Sequence, residues 1–344
     1  MRGALDPSVL GFDPDGLGDF LRLRIAGLDG EMAIARVAGG QSNPTFFLDF
    51  PGRRLVLRKK PGGPTLPSAH AVDREFRVLR ALEGRDVPVP RALVFHGDDD
   101  IVGTPFYVME RIEGRVFDDA ALPGLRPDER HALYLNMAEV LARLHAVDPQ
   151  AVGLGDYGRP GNYFARQIAR WGQQWEESPT DDIPALDMVG DWLRTNLPPD
   201  DGRVSIAHGD FRVGNLIVHL TEPRVVGILD WELSTLGHPL ADLGFCCMPW
   251  HTSPDEYAGI LGLDRDALGI PTEAAFVAHY AAKAQPAGPL TAFHIAFALF
   301  RFAVIFVGIA DRARSGNAAG HNAGTVGLLA RNFAQRALDV AQAA

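Results

Sequence analysis

The chain has 344 residues, of which 47% are hydrophobic and 22% charged, enough apolar material for one large or two medium-sized globular domains. Its 33 basic and 43 acidic residues give a formal net charge of −10 at pH 7, and no basic stripe stands out, so a nucleic acid partner is not expected. The two cysteines, Cys246 and Cys247, are adjacent, and neighbouring residues rarely reach disulfide geometry, which argues against a disulfide framework.

The first third of the chain has the pattern of a small antiparallel sheet with one helix. The dipeptide Pro51-Gly52 marks a turn between two apolar segments, and Val72 and Phe76 follow helical spacing. The predicted strands are 32–37, 45–50, 54–60, 92–95 and 106–109, and the predicted helix is 69–83. We therefore predict a compact unit of five strands and one helix that ends near Glu110.

The rest of the chain has a helical pattern. Pro127, followed by Asp128 and Glu129, is expected to begin a helix, because proline fits the first turn and acidic residues favour the positive end of the helix dipole. Further predicted helices are 161–177, 184–196, 272–283, 289–314 and 321–342. The chain is thus predicted to be of the α+β class, with domains 1–112 and 113–344 and a hinge at about 109–114.

One apolar segment, residues 290–310, is long enough to span a membrane. His294 and Arg301 interrupt it, and an arginine at mid-span costs about 2.5–3.5 kcal/mol on the insertion scale. We therefore predict a buried core helix and no membrane partner. The N-terminus lacks the apolar segment of a secretory signal, so a cytoplasmic location is expected.

The strongest pattern in the sequence is Asp210 followed by Asn215 and later by Asp230. These residues lie beside two apolar runs, 216–218 and 225–229, and two short strands joined by a turn would hold them at one end of a ribbon. A carboxylate that receives a proton, with an asparagine and an aspartate as oxygen ligands for Mg²⁺, is the minimal equipment for phosphoryl transfer. Alone, each residue would be read as a turn former or helix cap, but together they predict a catalytic site.

The segment His208-Gly209-Asp210 to Asn215 resembles the catalytic loop of the aminoglycoside phosphotransferase and choline kinase family, which is related to the protein kinases. The resemblance extends over about residues 33–330. It implies a protein-kinase-like bilobal fold, with a five-stranded antiparallel sheet and helix in an N-terminal nucleotide-binding lobe and a mainly helical C-terminal lobe whose short β ribbon carries the site. It also implies ATP and Mg²⁺ as cofactors, with Asp210 as catalytic base and Asn215 and Asp230 as metal ligands.

Four neighbouring residues receive less specific interpretations. Arg212 lies two positions after the base, where a guanidinium could neutralise the γ-phosphate or pair with a structural acid. Glu232 could face the metal ions or be a surface acid. The resemblance implies that Asp242 is structural and bonds the catalytic loop, and His208 is expected to pack and hydrogen-bond rather than to transfer protons.

The resemblance also implies where the nucleotide binds. A glycine-bearing turn between two predicted strands matches the loop that covers the phosphates of ATP, where backbone N–H groups approach oxygen atoms. The residues predicted for this loop are Gly40, Gln41, Ser42 and Asn43. At the hinge, the backbone groups of Glu110 and Ile112 are expected to bind adenine.

The main departure from the family pattern is Arg58, which stands where many members have a lysine that holds the α- and β-phosphates. Because side chains alternate along a strand, Arg58 and Lys60 share one face while Lys59 points away. Arg58 is the first choice for the phosphate contact and Lys60 the second. Glu75, in the predicted helix, would pair with this cation, unless it is a solvated helix acid.

The acceptor is less clearly indicated. Segments 39–45, 56–61 and 229–237 are similar to the kinase-like region fused to certain large acyl-CoA dehydrogenases, which phosphorylates 4-hydroxyacyl-CoA intermediates. Arginine pairs near 166–170 and 312–314 could bind the phosphates of CoA, or could be solvated helix faces. The sequence thus predicts a small-molecule kinase with a hydroxyl acceptor, either a hydroxyacyl-CoA or an aminoglycoside. A nucleotide-binding module without catalysis is a third interpretation, because Arg58 departs from the family pattern.

Overall fold

The computed structural model describes residues 10–37, 43–63, 71–159, 161–180, 182–257, 259–284, 288–314 and 323–344. These residues form two compact units. The first unit contains the described residues up to Gly114 together with Val226–Leu233, and the second contains Arg115–Val225 and the described residues from Ser234 onwards. Asp230 therefore belongs to the first unit, although the predicted second domain includes it in sequence.

The first unit is built on one antiparallel five-stranded sheet, as predicted. Its strands are β1 (Ala33–Arg36), β2 (Thr45–Phe50), β3 (Arg53–Lys59), β4 (Ala92–His96) and β5 (Phe106–Glu110). They are ordered β1-β2-β3-β5-β4. The register places Arg58 of β3 opposite Tyr107 of β5, which brings two polar side chains of the later site onto neighbouring strands.

Two helices complete this unit, α1 (Pro14–Arg22) and α2 (Val72–Leu82). The α1 helix begins at a capping residue, Asp13, whose carboxylate accepts hydrogen bonds from the backbone N–H groups of Asp15 and Gly16. Its buried Leu17 and Leu21 belong to the same apolar core as the inward side chains of β2. The α1 helix was not predicted as a separate element, although its Asp-Pro start is a recognisable signal.

The segment Val226–Leu233 is attached to the first unit by backbone and side-chain contacts. The backbone N–H of Ile228 donates to the carbonyl oxygen of Pro88 at 2.8 Å. The turn Trp231–Leu233 packs against α2, and the indole of Trp231 is 2% exposed and donates to the carbonyl of Ile228 at 3.1 Å. These contacts fix the chain on both sides of Asp230.

The second unit is mainly helical, as predicted. Its helices are α3 (Pro127–His145), α4 (Tyr163–Glu176), α5 (Pro184–Thr195), α6 (Pro239–Cys247), α7 (Arg265–Leu268), α8 (Glu273–Lys283), α9 (Ala292–Arg314) and α10 (Ala323–Gln342). Strands β6 (Ser205–Ala207) and β9 (Thr235–Gly237) pair antiparallel. The predicted ribbon is a hairpin of β7 (Leu216–Val218) and β8 (Val225–Ile228), and β8 continues from Val225 into the segment Val226–Leu233 of the first unit. The turn of the hairpin is closed by a bond from His219 N–H to the Arg224 carbonyl at 2.9 Å.

Helix α9 lies in the middle of this unit. By length and composition it could cross a membrane, but most of its residues are buried inside the structure. It packs against α4, α5, α6 and α10, and both His294 and Arg301 are buried. The prediction of a buried core helix is therefore confirmed.

Candidate active site

Asp242, the fourth residue of α6, holds the loop that carries Asp210 by hydrogen bonds to its backbone. The Asp242 carboxylate is 1% exposed and accepts hydrogen bonds from the backbone N–H groups of His208 at 2.5 Å and Gly209 at 2.8 Å. Burial raises the pKa of Asp242, but the hydrogen bond and charge of His145, with the Gly209 N–H, lower this pKa below its ordinary value overall. Asp242 is thus an ionised scaffold residue, in agreement with the prediction.

Asp210 and Asn215 are in direct contact. The amide nitrogen of Asn215 donates to Asp210 Oδ2 at 2.7 Å and to the Asp210 carbonyl at 2.9 Å. Gly209, immediately before, has φ of +81°, a left-handed conformation that glycine adopts without strain. The imidazole Nδ1 of His208 accepts from the Asp210 N–H at 3.2 Å, so this histidine holds the loop as expected. The five-residue spacing seen in the sequence therefore corresponds to one closed turn.

Arg212 lies between Asp210 and an aromatic side chain of the same unit. Its Nε is 3.4 Å from Asp210 Oδ1, and its guanidinium carbon is 5.6 Å from the centroid of the Tyr257 ring. A Cβ atom at Gly214 would collide with the guanidinium of Arg212. The small residue at position 214 therefore leaves the space in which Arg212 lies against the predicted base.

A buried arginine that the sequence analysis did not assign to the site also holds this loop. Arg301, in α9, donates to the carbonyl oxygen of Gly209 at 2.9 Å and lies 5.7 Å from the Trp171 ring centroid. Its residue exposure is 7%. A charged residue in a buried helix needs a polar partner, so an arginine within the predicted core helix was a signal from which this role could have been found.

In the first unit, Arg58 forms ion pairs with two carboxylates. Its Nε is 3.1 Å from Glu75 Oε2, and its Nη2 is 2.9 Å from Asp230 Oδ1. Burial lowers the pKa of Arg58, but the charges of Glu75 and Asp230 raise it above its ordinary value overall. The predicted pairing of Arg58 with Glu75 is present, and Asp230 is a second partner that was not predicted.

Glu75 is the centre of a buried polar network. Besides Arg58, it accepts a hydrogen bond from the Tyr107 hydroxyl at 2.9 Å and one from the Asn43 amide at 2.7 Å. Its exposure is 1%, and burial raises the pKa of its carboxyl, with a further contribution from Asp230. Glu75 is therefore not a solvated helix acid, because it is buried and hydrogen-bonded. The side-chain amide of Asn43 is one of its donors.

Asp230 is held in an unusual backbone conformation. Its φ is +64°, in the left-handed region that non-glycine residues seldom adopt, although aspartate tolerates it better than most. Its side chain is 32% exposed while Arg58 holds one oxygen. Such strain persists where the surroundings enforce it, and it is frequent at functional sites.

Lys59 points away from Arg58, as the strand alternation predicts. Lys59 lies on the other side of the sheet, where its ammonium donates to the carbonyl of Val102 and is 5.2 Å from the centroid of the Phe12 ring. Burial lowers its pKa. Lys60 follows the last residue of β3, and its backbone is bonded to Pro105 through its N–H. Of these cations, Arg58 is the one that joins the Glu75 network.

The other predicted nucleotide residues are placed less completely. Gly40, Gln41 and Ser42 lie outside the described residues. Glu110 ends β5, where its N–H donates to the carbonyl of Arg91 at 2.9 Å and its carboxylate pairs with Arg53 at 3.1 Å. Ile112, two residues later, is partly buried. The Glu110 side chain thus takes part in an ion pair at the surface.

The arginines considered for CoA binding are engaged locally. Arg166 donates to the carbonyl of Arg159 at 2.9 Å, and Arg314 pairs with Asp311 at 2.7 Å. Arg170 lies 5.1 Å from the Trp171 ring centroid. These contacts favour the interpretation of solvated helix faces.

The oxygen ligands proposed for a metal ion are an amide and a carboxylate. In the part of the chain that the structure describes, no group of three or more His, Cys, Asp or Glu residues is arranged to hold a metal ion. Asn215 uses its amide nitrogen for Asp210, so its amide oxygen is the group directed elsewhere. Asp230 has the second oxygen of its carboxylate beyond the one that Arg58 holds. Both are hard oxygen donors of the kind that Mg²⁺ prefers.

Comparison with known proteins identifies the family. A sequence profile of the Phosphotransferase enzyme family matches residues 33–283, which is most of the chain. The chain belongs to this family. The resemblance of the loop around Asp210 is therefore confirmed, and residues 33–283 form a domain of this family.

Relatives of known sequence extend this result. The chain is 42% identical over 316 residues to mouse Acyl-CoA dehydrogenase family member 10, and 40% identical over 318 residues to chicken Acyl-CoA dehydrogenase family member 11. Each match covers 91% of this chain but only 29% and 41%, respectively, of the relatives. The chain therefore spans less than half the length of these larger proteins.

Solved structures confirm the protein-kinase-like fold. A crystal structure of a Ralstonia eutropha protein with a provisional aminoglycoside phosphotransferase name has a TM-score of 0.87 and 45% identity, and covers 96% of this chain and 99% of that one. A thermostable mutant of the aminoglycoside phosphotransferase APH(4)-Ia, in complex with AMP-PNP and hygromycin B, has a TM-score of 0.61 and 16% identity, with 94% and 98% covered. The second likeness concerns the fold alone.

Proposed function

We propose that this phosphotransferase is an ATP- and Mg²⁺-dependent kinase that transfers the γ-phosphate of ATP to a hydroxyl group of a small molecule. The observation that carries the proposal is the turn in which Asn215 bonds the carboxylate of Asp210, on a loop anchored by Asp242 and Arg301. A carboxylate held in this way is oriented before the acceptor arrives, and orientation of the reacting group is a large part of catalysis in phosphoryl transfer.

Asp210 is proposed as the catalytic base. Its carboxylate accepts the proton of the acceptor hydroxyl as that oxygen attacks phosphorus. Arg212, whose Nε is 3.4 Å from Asp210 Oδ1, supplies positive charge beside this carboxylate and could pair with a phosphate oxygen. The Asn215 amide keeps the other carboxylate oxygen in place.

Asn215 and Asp230 are proposed as the ligands of Mg²⁺. Their hard oxygen donors fit this ion, and the left-handed backbone at Asp230 is the kind of strain found at ligand sites. When bound, Mg²⁺ would neutralise negative charge on the phosphate oxygens.

For the nucleotide, the proposal assigns the phosphates to Arg58 and to the loop of Gly40, Gln41, Ser42 and Asn43, with Lys60 as a further candidate. The adenine would be bound by backbone groups of Glu110 and Ile112, residues at the end of β5 and beyond. Support for a nucleotide comes from related folds, since APH(4)-Ia is known in complex with AMP-PNP. Within this scheme residues 1–112 are the nucleotide-binding lobe and residues 113–344 the catalytic and substrate lobe.

For the acceptor, we propose a hydroxyacyl-CoA. The support is that the relatives at 38–44% identity are Acyl-CoA dehydrogenase family members, whereas the named antibiotic kinases among the structural neighbours have 13–19% identity. An aminoglycoside is the second candidate, because the Ralstonia protein at 45% identity carries an aminoglycoside phosphotransferase name. It stays a prediction from the sequence that the protein has no nucleic acid or membrane partner and that it is cytoplasmic.

The test compares acceptors with the intact chain. ADP release would be measured with ATP and Mg²⁺ against 4-hydroxyacyl-CoA thioesters and against aminoglycosides, for the wild type and for Asp210→Asn. We expect turnover with the thioesters only, loss of at least about a hundredfold in kcat for Asp210→Asn, and unchanged ATP binding in that variant. Asp191→Asn, at an exposed position of α5, is the matched control. Full turnover by Asp210→Asn would refute the assignment of the base, and turnover of aminoglycosides alone would refute the acceptor.

A further inference from the structure

A small cavity in the second unit borders the loop that carries Asp210. Its volume is about 50 Å³, and its wall includes the loop residues Phe211, Arg212 and Val213. The rest of the wall comes from α3, α6, α8 and α10 and from the segments around residues 118–120 and 248–257. The cavity therefore lies next to the proposed base without being formed by the nucleotide residues discussed above.

The wall of this cavity is apolar and largely aromatic. Its principal side chains are Tyr134, Met137, Phe211, Tyr257, Phe276 and Phe333. Among the described residues that line it, the charged ones are Asp118 and Arg212. A polyamine sugar would have to bring ammonium groups out of water and next to the guanidinium of Arg212, and such burial of like charges is costly. The cavity wall suits an uncharged hydrocarbon group.

One side chain links the cavity to the proposed base. Arg212 lines the cavity, has its Nε 3.4 Å from Asp210 Oδ1, and has its guanidinium carbon 5.6 Å from the Tyr257 ring centroid. Tyr257 is 39% exposed, so the wall reaches the protein surface at this residue. On the inner side the thiol of Cys246 donates to the Phe211 carbonyl at 3.1 Å, which fixes the loop against the cavity. A group in the cavity would thus lie beside the residues that flank the base.

The size of the cavity limits what it can hold. A water-sized probe needs roughly 10–15 Å³, so about 50 Å³ accommodates three to five such probes, the equivalent of an alkyl group of about two to four carbon atoms. The neighbouring side chains are close-packed, and Phe276 and Phe333 are each 1% exposed, so a longer chain would have to displace them.

The geometry points to a binding site for a short alkyl group that the acceptor alcohol carries next to its reactive hydroxyl. This inference rests on the proposed function, and it adds a limit on the length of that group. Each methylene that enters the cavity should raise kcat/KM about fourfold, which corresponds to about 0.8 kcal/mol for burial of one CH₂. The gain should end once the cavity is filled, and overfilling should then reduce kcat/KM.

Binding to the cavity can be measured without catalysis. The intact protein would be labelled with carbon-13 at its methionine methyl groups and titrated with 2-propanol, 2-butanol and 2-pentanol as probes. Met137 and Met248 line the cavity, whereas Met188 is 52% exposed on α5 and Met109 is in β5 of the other unit. We expect saturable shifts of the Met137 and Met248 signals, strongest for the largest alcohol that fits, and no saturable shift of the other two. Equal shifts at all four, or none, would refute the cavity as a binding site.

A pair of substitutions then tests selectivity. Acceptors that differ only in the alkyl group beyond the hydroxyl, from one to six carbons, would be compared by kcat/KM. Met137→Ala enlarges the cavity and should move the optimum to longer groups, while Met137→Phe should move it to shorter ones. Leu141→Ala, one turn further along α3 and buried but outside the cavity wall, is the matched control and should leave the optimum unchanged. Thermal unfolding of each variant verifies that it is folded.

The outcomes separate this inference from the proposed function. A kcat/KM that does not depend on alkyl length, in the wild type and in the variants, would refute the alkyl site. The kinase assignment would not be affected by that result. Absence of transfer to every acceptor, with specific shifts of Met137 and Met248, would refute the proposed function while the cavity still bound its alkyl probe.

Discussion

The interaction of Asp242 with the loop before Asp210 leads to a quantitative prediction for Asp242→Asn. The wild-type carboxylate accepts N–H groups from His208 at 2.5 Å and from Gly209 at 2.8 Å, one on each oxygen. Asparagine keeps the shape but has one acceptor oxygen, so its NH₂ group must face a backbone N–H. One charge-assisted hydrogen bond, worth about 1.5–3 kcal/mol, is lost, and one buried donor loses its partner at a cost of about 1–3 kcal/mol.

We therefore expect Asp242→Asn to reduce the free energy of unfolding by about 2.5–6 kcal/mol. Urea denaturation at pH 7 measures this loss, and hydrogen exchange of the 208–209 amides should become faster because the Asp242 carboxylate no longer protects them. Phosphoryl transfer should fall as well, since the orientation of Asp210 depends on this loop. Asp191→Asn in α5 is the control, with an expected change within about 0.5 kcal/mol.

The same residue predicts a dependence on acid. The pKa of Asp242 is below its ordinary value in the folded protein, so its stabilising contribution is present above the unfolded pKa and is lost as pH falls through the folded pKa. The wild type should therefore lose stability below about pH 4 by more than Asp242→Asn does. Unfolding energies of the two proteins that differ by less than about 1 kcal/mol at pH 7, with equal hydrogen exchange at 208–209, would refute the reasoning.

Three further predictions concern the two units separately. Arg58→Met should reduce the unfolding free energy at pH 7 by about 3–5 kcal/mol, because Glu75 keeps a buried charge without its cation. The loss of unfolding free energy should be smaller at pH 5.5, because a Glu75 carboxyl without its cation takes up a proton more readily as the pH falls. Urea denaturation at both pH values measures the two losses, and equal losses would contradict the prediction. Tyr107→Phe removes one hydrogen-bond donor to Glu75 and should reduce the unfolding free energy by about 1–3 kcal/mol in the same assay. An unchanged unfolding free energy would show that this hydrogen bond does not contribute to stability. Gly214→Ala should displace Arg212 and lower kcat, with little effect on ATP binding. Turnover assays measure the first effect and nucleotide titration the second. Normal turnover would contradict a role of Arg212 beside the base.

The regular elements were predictable because their side chains repeat with a clear period. The predicted strands 45–50 and 92–95 lie within one residue of β2 and β4, and the predicted helices 184–196 and 289–314 lie within three residues of α5 and α9. In β2 buried and partly exposed residues alternate, whereas α9 is a long apolar run, and both patterns can be recognised in a sequence. The contact between Asp210 and Asn215 was predictable for a similar reason, since five residues on one loop cannot separate far.

The elements that were not predicted lack such a period. Every residue of α6 is buried, so its sequence shows no polar face, and β6 and β9 have three residues each. The bond from Arg301 to Gly209 joins residues 92 positions apart, and no local rule connects them. Likewise the second partner of Arg58 is Asp230, which is 172 positions away along the chain. Such contacts depend on tertiary packing, and sequence periodicity carries no information about them.

The arginine at position 58 changes how this protein responds to chemical labelling. Acylating reagents react with an unprotonated amine, which a lysine at this position of β3 would supply. Arg58 has a guanidinium that stays protonated at physiological pH and is held between Glu75 and Asp230. An amine-directed reagent therefore finds no reactive group at position 58, and acylation of this segment would have to take place on Lys59 or Lys60.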